Sequence, residues 1–215
     1  MARAPRLTIT AINLLCLIVL CRATESPQYS VVHEESDFEI RCYRDAMWMS
    51  ATVNDLSFQK ATLLGFHRLF QFIQGANLNY SRVAMTSPVV TSLVPEAGPL
   101  HSSAYVVRFY LPAKFQDAPP TPLPELNLEP YTWESHFVAV RKFSGFATDD
   151  KVLKEAANLA TSLSLSPWAN STTATEYSYS IAQYDSPFRL IGRNNEVWVD
   201  VDASAFVDSD RKATF

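Results

Sequence analysis

The chain has 215 residues, 47% hydrophobic and 12% aromatic, with 13 prolines but only 5 glycines. So much aromatic residue excludes a disordered chain, and a formal net charge of −4 excludes a surface built for nucleic-acid phosphates. Three cysteines, with no CxxC or metal-ligand spacing, exclude a disulfide scaffold.

Basic residues Arg3 and Arg6 precede an apolar run over residues 7–21, and Cys21-Arg22-Ala23 supplies small residues at the cleavage positions. This order predicts a secretory signal peptide over 1–23. The run of about 15 residues is short against the roughly 20 of a membrane span, which favours cleavage over a retained anchor. Cleavage removes three arginines, leaving 192 residues with 15 basic and 22 acidic side chains, and Cys42 as the lone thiol. The expected location is the secretory pathway, secreted or vacuolar, with no membrane attachment once the leader is gone. Two N-x-Ser/Thr tripeptides, at Asn79 and Asn170, fall in expected loops and are candidate glycosylation acceptors.

Beyond the leader the chain reads as one unit used twice. Alternating residues predict strands over 38–43 and 47–53. A helix follows to Ile73, capped by Asp55 and closed by Gly75. Strands over 82–94 and 104–111 come next, then a proline-rich crossing over 112–130. The second half repeats the order with strands over 127–133 and 137–143. A helix over 149–163, capped by Asp149 or Asp150, leads to strands over 176–184 and 196–201. A local similarity between 84–89 and 183–188 reinforces the repeat, and residues 202–215 read as a flexible polar tail. The expected fold is α+β: a distorted antiparallel β-barrel of about eight strands flanked by two helices, with a pseudo-twofold β-β-α-β-β repeat. Two separate domains of about 95 residues would leave sheet edges and helix faces uncovered.

The two helices differ. The second carries one apolar stripe of Val152, Leu153, Ala156, Ala157, Leu159, Ala160 and Leu163 opposite a polar side. The first has two apolar faces: Phe58, Ala61, Gly65, Leu69 and Phe72 on one, Leu63, Phe66, Phe70 and Ile73 on the other. Either loops such as the proline-rich crossing cover the second face, or it is an aromatic groove for a flat apolar ligand or a partner segment.

No catalytic set is legible. The four histidines form no HxxxH pair, and nucleophile-elbow, phosphate-loop and dinucleotide motifs are missing from the sequence. Cys42 reads as an ordinary strand cysteine, and no enzyme is expected. His67, on the aromatic helix, is a weak candidate for binding iron beside its plainer reading as a surface residue.

Several segments resemble the SOUL haem-binding protein family: Phe38-Glu39-Ile40-Arg41-x-Tyr43, Met85-Thr86-x-Pro88-Val89, Tyr184-Asp185-Ser186-Pro187 and Arg193-Asn194-Asn195-Glu196-Val197-Trp198. Phe72-Ile73-Gln74-Gly75 and Phe115-Gln116-x-x-Pro119-Pro120 fit as well, so the resemblance spans 27–201 as a single domain. A leader followed by Glu25-Ser26-Pro27-Gln28-Tyr29 looks most like the plant members.

The resemblance implies reversible binding of haem or another tetrapyrrole in a shallow groove along the first helix, as a carrier or buffer. Carried over, the groove positions are Leu63, Phe66, His67 and Phe70, with Arg189 suited to a haem propionate. Phe66 and Phe70 stand where some members have methionine, so sulfur ligation from those positions is excluded. Cys42 stands where some animal members have histidine, so an axial role there does not transfer. The alternative expectation is a protein-interaction module using the same aromatic groove.

Overall fold

The computed structural model describes residues 24–95, 104–173, 177–186 and 189–202. The leader expected over 1–23 and the expected tail beyond Asp202 lie outside the described residues. Among the described residues, nine strands form one antiparallel sheet: β1 (Tyr29–Glu34), β2 (Glu39–Tyr43), β3 (Ala46–Val53), β4 (Val89–Val94), β5 (Ala104–Tyr110), β6 (Glu129–Trp133), β7 (His136–Ser144), β8 (Tyr179–Gln183) and β9 (Asn194–Val201). Helix α1 (Phe58–Ile73) follows β3, and α2 (Asp149–Ser164) follows β7.

The sheet order is β1-β2-β7-β9-β8-β4-β5-β3-β6. Leaving aside β1, which has no mate, exchanging β2 with β6, β3 with β7, β4 with β8 and β5 with β9 reproduces the order of the other eight strands reversed. The pseudo-twofold axis therefore passes between β4 and β8, where Thr91 pairs with Ile181. The halves interleave in this one sheet, β2 pairing with β7 across them. The sheet curls as an open half-barrel, in agreement with the α+β distorted barrel expected.

Several expectations change in detail. Strand β1 was not foreseen, because Ser30, Val31 and Val32 are exposed on an edge and give no alternating pattern. Its register shifts between Val31 and His33, and the opposite edge strand, β6, contains Pro130. Both features blunt an open sheet edge against pairing with another chain. The strand expected over 82–94 begins only at Val89, and that expected over 176–184 is β8. The similar segments near Ser87 and Ser186 are not twofold mates, because one precedes β4 and the other follows β8.

The two sheet faces carry different cores. On the convex face, Gly65, Leu69, Phe72 and Ile73 of α1 lie against β3 and β5, where Met49, Ala51, Val107 and Phe109 are buried. Leu126 and Leu128 of the proline-rich crossing complete this cluster, so the crossing covers the Ile73 end of the helix. Helix α2 lies on β7 and β9 through Val152, Ala156, Leu159 and Leu163. Its stripe is narrower than expected: Leu153, Ala157 and Ala160 face solvent. The concave face holds Tyr43, Trp48, Tyr110, Trp133 and Trp198, with Trp48 and Trp133 in edge-to-face contact at 5.7 Å.

Candidate functional site

Helix α1 begins differently from its expected cap. Ser57, not Asp55, occupies the N-cap, and its hydroxyl accepts from the Lys60 N–H at 3.2 Å. Asp55 instead accepts from the Ser57 N–H at 3.0 Å and pairs with Lys60. Gly75 does close the helix, with φ of 115° just past Gln74. Thr148 is the N-cap of α2. Asp149, the first helical residue, turns across to α1, accepting from the Phe58 N–H at 2.5 Å and the Ser57 hydroxyl at 2.9 Å. The two helix N-termini are thereby held side by side.

Beside this junction a cleft of about 210 Å³ opens between α1, the start of β4 and the chain around Phe146 and Asp185. Its apolar walls include Phe58, Leu63, Phe66 and Phe146, and its polar walls include Gln183, Asp185 and Arg193. Phe66 stacks on Phe70, centroids 5.8 Å apart, so the aromatic surface continues along the helix. Leu63 is 64% exposed and Phe70 39%, so the proline-rich crossing leaves this part of α1 uncovered. Ile73, expected on the same face, is buried in the core.

Of the residues expected at the site, Leu63 and Phe66 line the cleft, and Phe70 extends it. His67 is exposed and is not part of the cleft wall. Arg189 lies on the adjoining loop, and its guanidinium pairs with Asp185 at 2.5 Å. Asn79 and Asn170 are both exposed. Among the described residues, no group of three or more His, Cys, Asp or Glu side chains is placed to hold a metal ion.

Sequence reasoning missed Phe146, Asp185 and Arg193 as wall residues. Arg193 is buried, lies 5.0 Å over the Phe146 ring and donates to the carbonyls of Ser186 and Arg189 at 3.0 and 2.9 Å. Asp185 accepts from the Asn194 N–H at 2.5 Å. That bond holds its carboxyl below the usual carboxylate range, aided by Arg189 against the opposing effect of burial. The available signal was the Asp185-Ser-Pro and Arg193-Asn-Asn motifs, which stand at the two ends of one loop.

The concave face carries a separate polar network. Arg41 donates to both Glu196 oxygens, at 3.0 and 2.8 Å, and to the Tyr43 hydroxyl at 2.9 Å. Glu196 also accepts from Tyr184 at 2.7 Å and Trp198 at 2.8 Å. Burial, together with Glu196, pushes the Tyr184 hydroxyl well above its ordinary pKa. Such a pair, its lone pairs already filled, is a structural tie rather than an open binding site.

The family model described as SOUL heme-binding protein matches residues 24–200. Heme-binding protein 2 of Homo sapiens is 32% identical over 182 residues, covering 83% of this chain and 86% of its own. Heme-binding protein 1 of Xenopus tropicalis is 29% identical over 162 residues, covering 75% and 82%. Among solved structures, a hydrolase from Listeria innocua aligns with a TM-score of 0.53 at 8% identity, covering 80% of this chain and 94% of that one, a likeness of fold alone. The match runs through both helices, the cleft beside α1 and all nine strands, and the chain belongs to the SOUL heme-binding protein family.

Proposed function

We propose that the protein binds haem or a related tetrapyrrole reversibly in the cleft along α1, as a carrier or buffer rather than an enzyme. Family membership supports the ligand class, and one observation carries the location: Leu63 and Phe70 are exposed and Phe66 half-buried on a helix whose other apolar face is packed. A planar macrocycle finds aromatic and aliphatic contacts there. The residues fit the ring better than the iron, because no histidine, cysteine, methionine or tyrosine is among the described residues that line the cleft. The group when bound supplies its own redox and gas-binding chemistry, while the chain supplies an apolar seat. Arg189, on the neighbouring loop, is the rim cation, once released from Asp185.

We also propose that residues 1–23 direct the chain into the secretory pathway and are removed, and that Asn79 and Asn170 carry glycans. Mass spectrometry of the protein purified from a secreting eukaryotic host reads both.

Hemin titration, followed by the Soret band, tests the binding reading. Saturable binding at micromolar protein is expected, with Phe66→Glu weakening it at least about tenfold through loss of apolar contact. Metal-free protoporphyrin IX is expected to bind comparably. No saturable shift, or one indifferent to Phe66→Glu, overturns the reading. Binding lost on mutating His67 but kept in Phe66→Glu would move the site to the iron.

A further inference from the structure

Both rims of the cleft end in exposed apolar side chains. On one rim these are Leu63, Leu64 and Phe70, along the solvent edge of α1. On the other they are Phe146 and two neighbours in sequence, Leu190 and Ile191, which are 73% and 87% exposed. Leu190 and Ile191 stand just before Arg193, a wall of the cleft that Leu63 and Phe66 also line.

The second rim is built to hold its aliphatic tip outward. The Arg189 N–H donates to the Ser186 carbonyl at 3.0 Å, and Arg189 Nε to the Ile191 carbonyl at 3.1 Å. Arg193, buried beneath, donates to the carbonyls of Ser186 and Arg189. Gly192 turns the chain with φ of 64°. The polar backbone is thus bonded inward while two branched aliphatic side chains face water. Single apolar residues are ordinary on a surface, but a group around one opening marks an interaction surface.

Shape and charge name the partner. Two apolar protrusions flanking an opening fit poorly to a rigid protein face, whereas lipid flows around both. Helix α1 has no carboxylate in its 16 residues, in a chain with 22 acidic side chains, and it carries Lys60, His67 and Arg68. Lys60 is paired with Asp55, but Arg68 donates to the neutral carbonyls of Thr52 and Asn127 and keeps its charge. Arg189 neutralises Asp185, and Asp149 lies between the positive ends of two helices. An apolar patch along an electropositive helix suits anionic lipid. Among the described residues no helix is long and apolar enough to cross a membrane, so the contact is peripheral.

We propose that this face docks reversibly on an anionic lipid bilayer, with Leu190 and Ile191 entering the lipid beside Leu63 and Phe70. The contact is a surface one, distinct from a retained leader, and it stands whatever the cleft holds. It turns the mouth of the cleft towards the membrane, so that an apolar ligand exchanges with the bilayer without crossing water.

The test is co-sedimentation of the protein, purified from a secreting eukaryotic host, with vesicles of phosphatidylcholine and phosphatidylserine at about 3:1. Saturable binding is expected, at least about threefold tighter than to phosphatidylcholine alone. Leu190→Glu with Ile191→Glu should weaken it at least about tenfold, because two aliphatic side chains leave the lipid and two anions meet its surface. Both positions are exposed, so the urea midpoint of that variant should not move. Leu64→Glu, exposed on α1 but outside the cleft wall, should weaken binding at least about threefold, and it decides if the double variant misfolds. Leu153→Glu alters an equally exposed leucine on α2 and should leave binding within about twofold. No sedimentation with the mixed vesicles, full retention in the rim variants, or equal loss in Leu153→Glu overturns the proposal. So does a dimer in sedimentation velocity that Leu190→Glu with Ile191→Glu abolishes, since the face would then belong to a second copy. A rim variant that loses vesicles but still binds hemin supports docking and leaves the ligand reading intact.

Discussion

Asp149, the first residue of α2, caps the N-terminus of α1 across the pseudo-twofold repeat, bonding the Phe58 N–H at 2.5 Å and the Ser57 hydroxyl at 2.9 Å. A free helix N-terminus leaves several N–H groups without partners and a partial positive charge. One carboxylate between two N-termini serves both, and it fixes the end of α1 that borders the cleft. Asp149→Ala is expected to cost about 1–2 kcal/mol, the worth of a cap. Urea unfolding should show it, with Asp150→Ala, one residue on and exposed, costing less.

Gly65 sits where α1 meets β5. A Cβ built there would lie 2.6 Å from Val107 Cβ and collide with its Cγ2 as well. Alanine is the better helix former by about 1 kcal/mol. The collision with a stiff β-branched side chain outweighs that gain, because helix or strand must move apart. Gly65→Ala should destabilise by about 1–3 kcal/mol. Val107→Ala, which removes the Cγ2 collision but keeps the Cβ, should suppress only part of that effect in a double-mutant cycle measured by thermal unfolding.

The Arg41–Glu196 pair lies inside the curl of the sheet, with the Arg41 side chain 1% exposed. Arg41→Met strands a buried carboxylate that Tyr184 and Trp198 still contact. A loss of about 3–5 kcal/mol is expected. Arg41→Met with Glu196→Gln should recover part of it, since the remaining amide is neutral. Equal destabilisation of single and double variants in guanidinium unfolding would contradict this.

His136 stacks on Trp133, with centroids 4.8 Å apart and planes 9° from parallel. Burial there holds its pKa below the ordinary histidine value, against the opposing pull of the Glu134 carbonyl and Asp200. The unfolded chain therefore binds this proton more readily than the folded one. Stability attributable to His136 is present above about pH 6.5 and is lost as pH falls towards the lower folded value. Urea midpoints should fall between pH 7.5 and 5.5, and fall less in His136→Phe, which keeps the ring stack.

Much of the architecture was legible because its cues are local. Alternation in 38–43 and a 3.6-residue period in both helices mark elements wherever they end up. The β-β-α-β-β repeat was legible because each half must bury one helix on one set of strands. Strand β1 was not, since an exposed edge strand imposes no alternating burial. The cap reassigned from Asp55 to Ser57 turned on a two-residue choice among acceptors that local sequence supplies equally.

The sequence alone determined that α1 carries more apolar surface than one packing face uses, and it named Leu63, Phe66 and Phe70. Only the tertiary structure decided that the proline-rich crossing covers the Ile73 end and leaves those three open. It alone brought Phe146, Asp185 and Arg193 to the same cleft from more than 70 residues away along the chain. Apolar excess is a property of composition and period, which a sequence states directly. Which part of that excess is covered depends on chain crossings, and the charge of the opposite wall depends on segments that only folding makes neighbours.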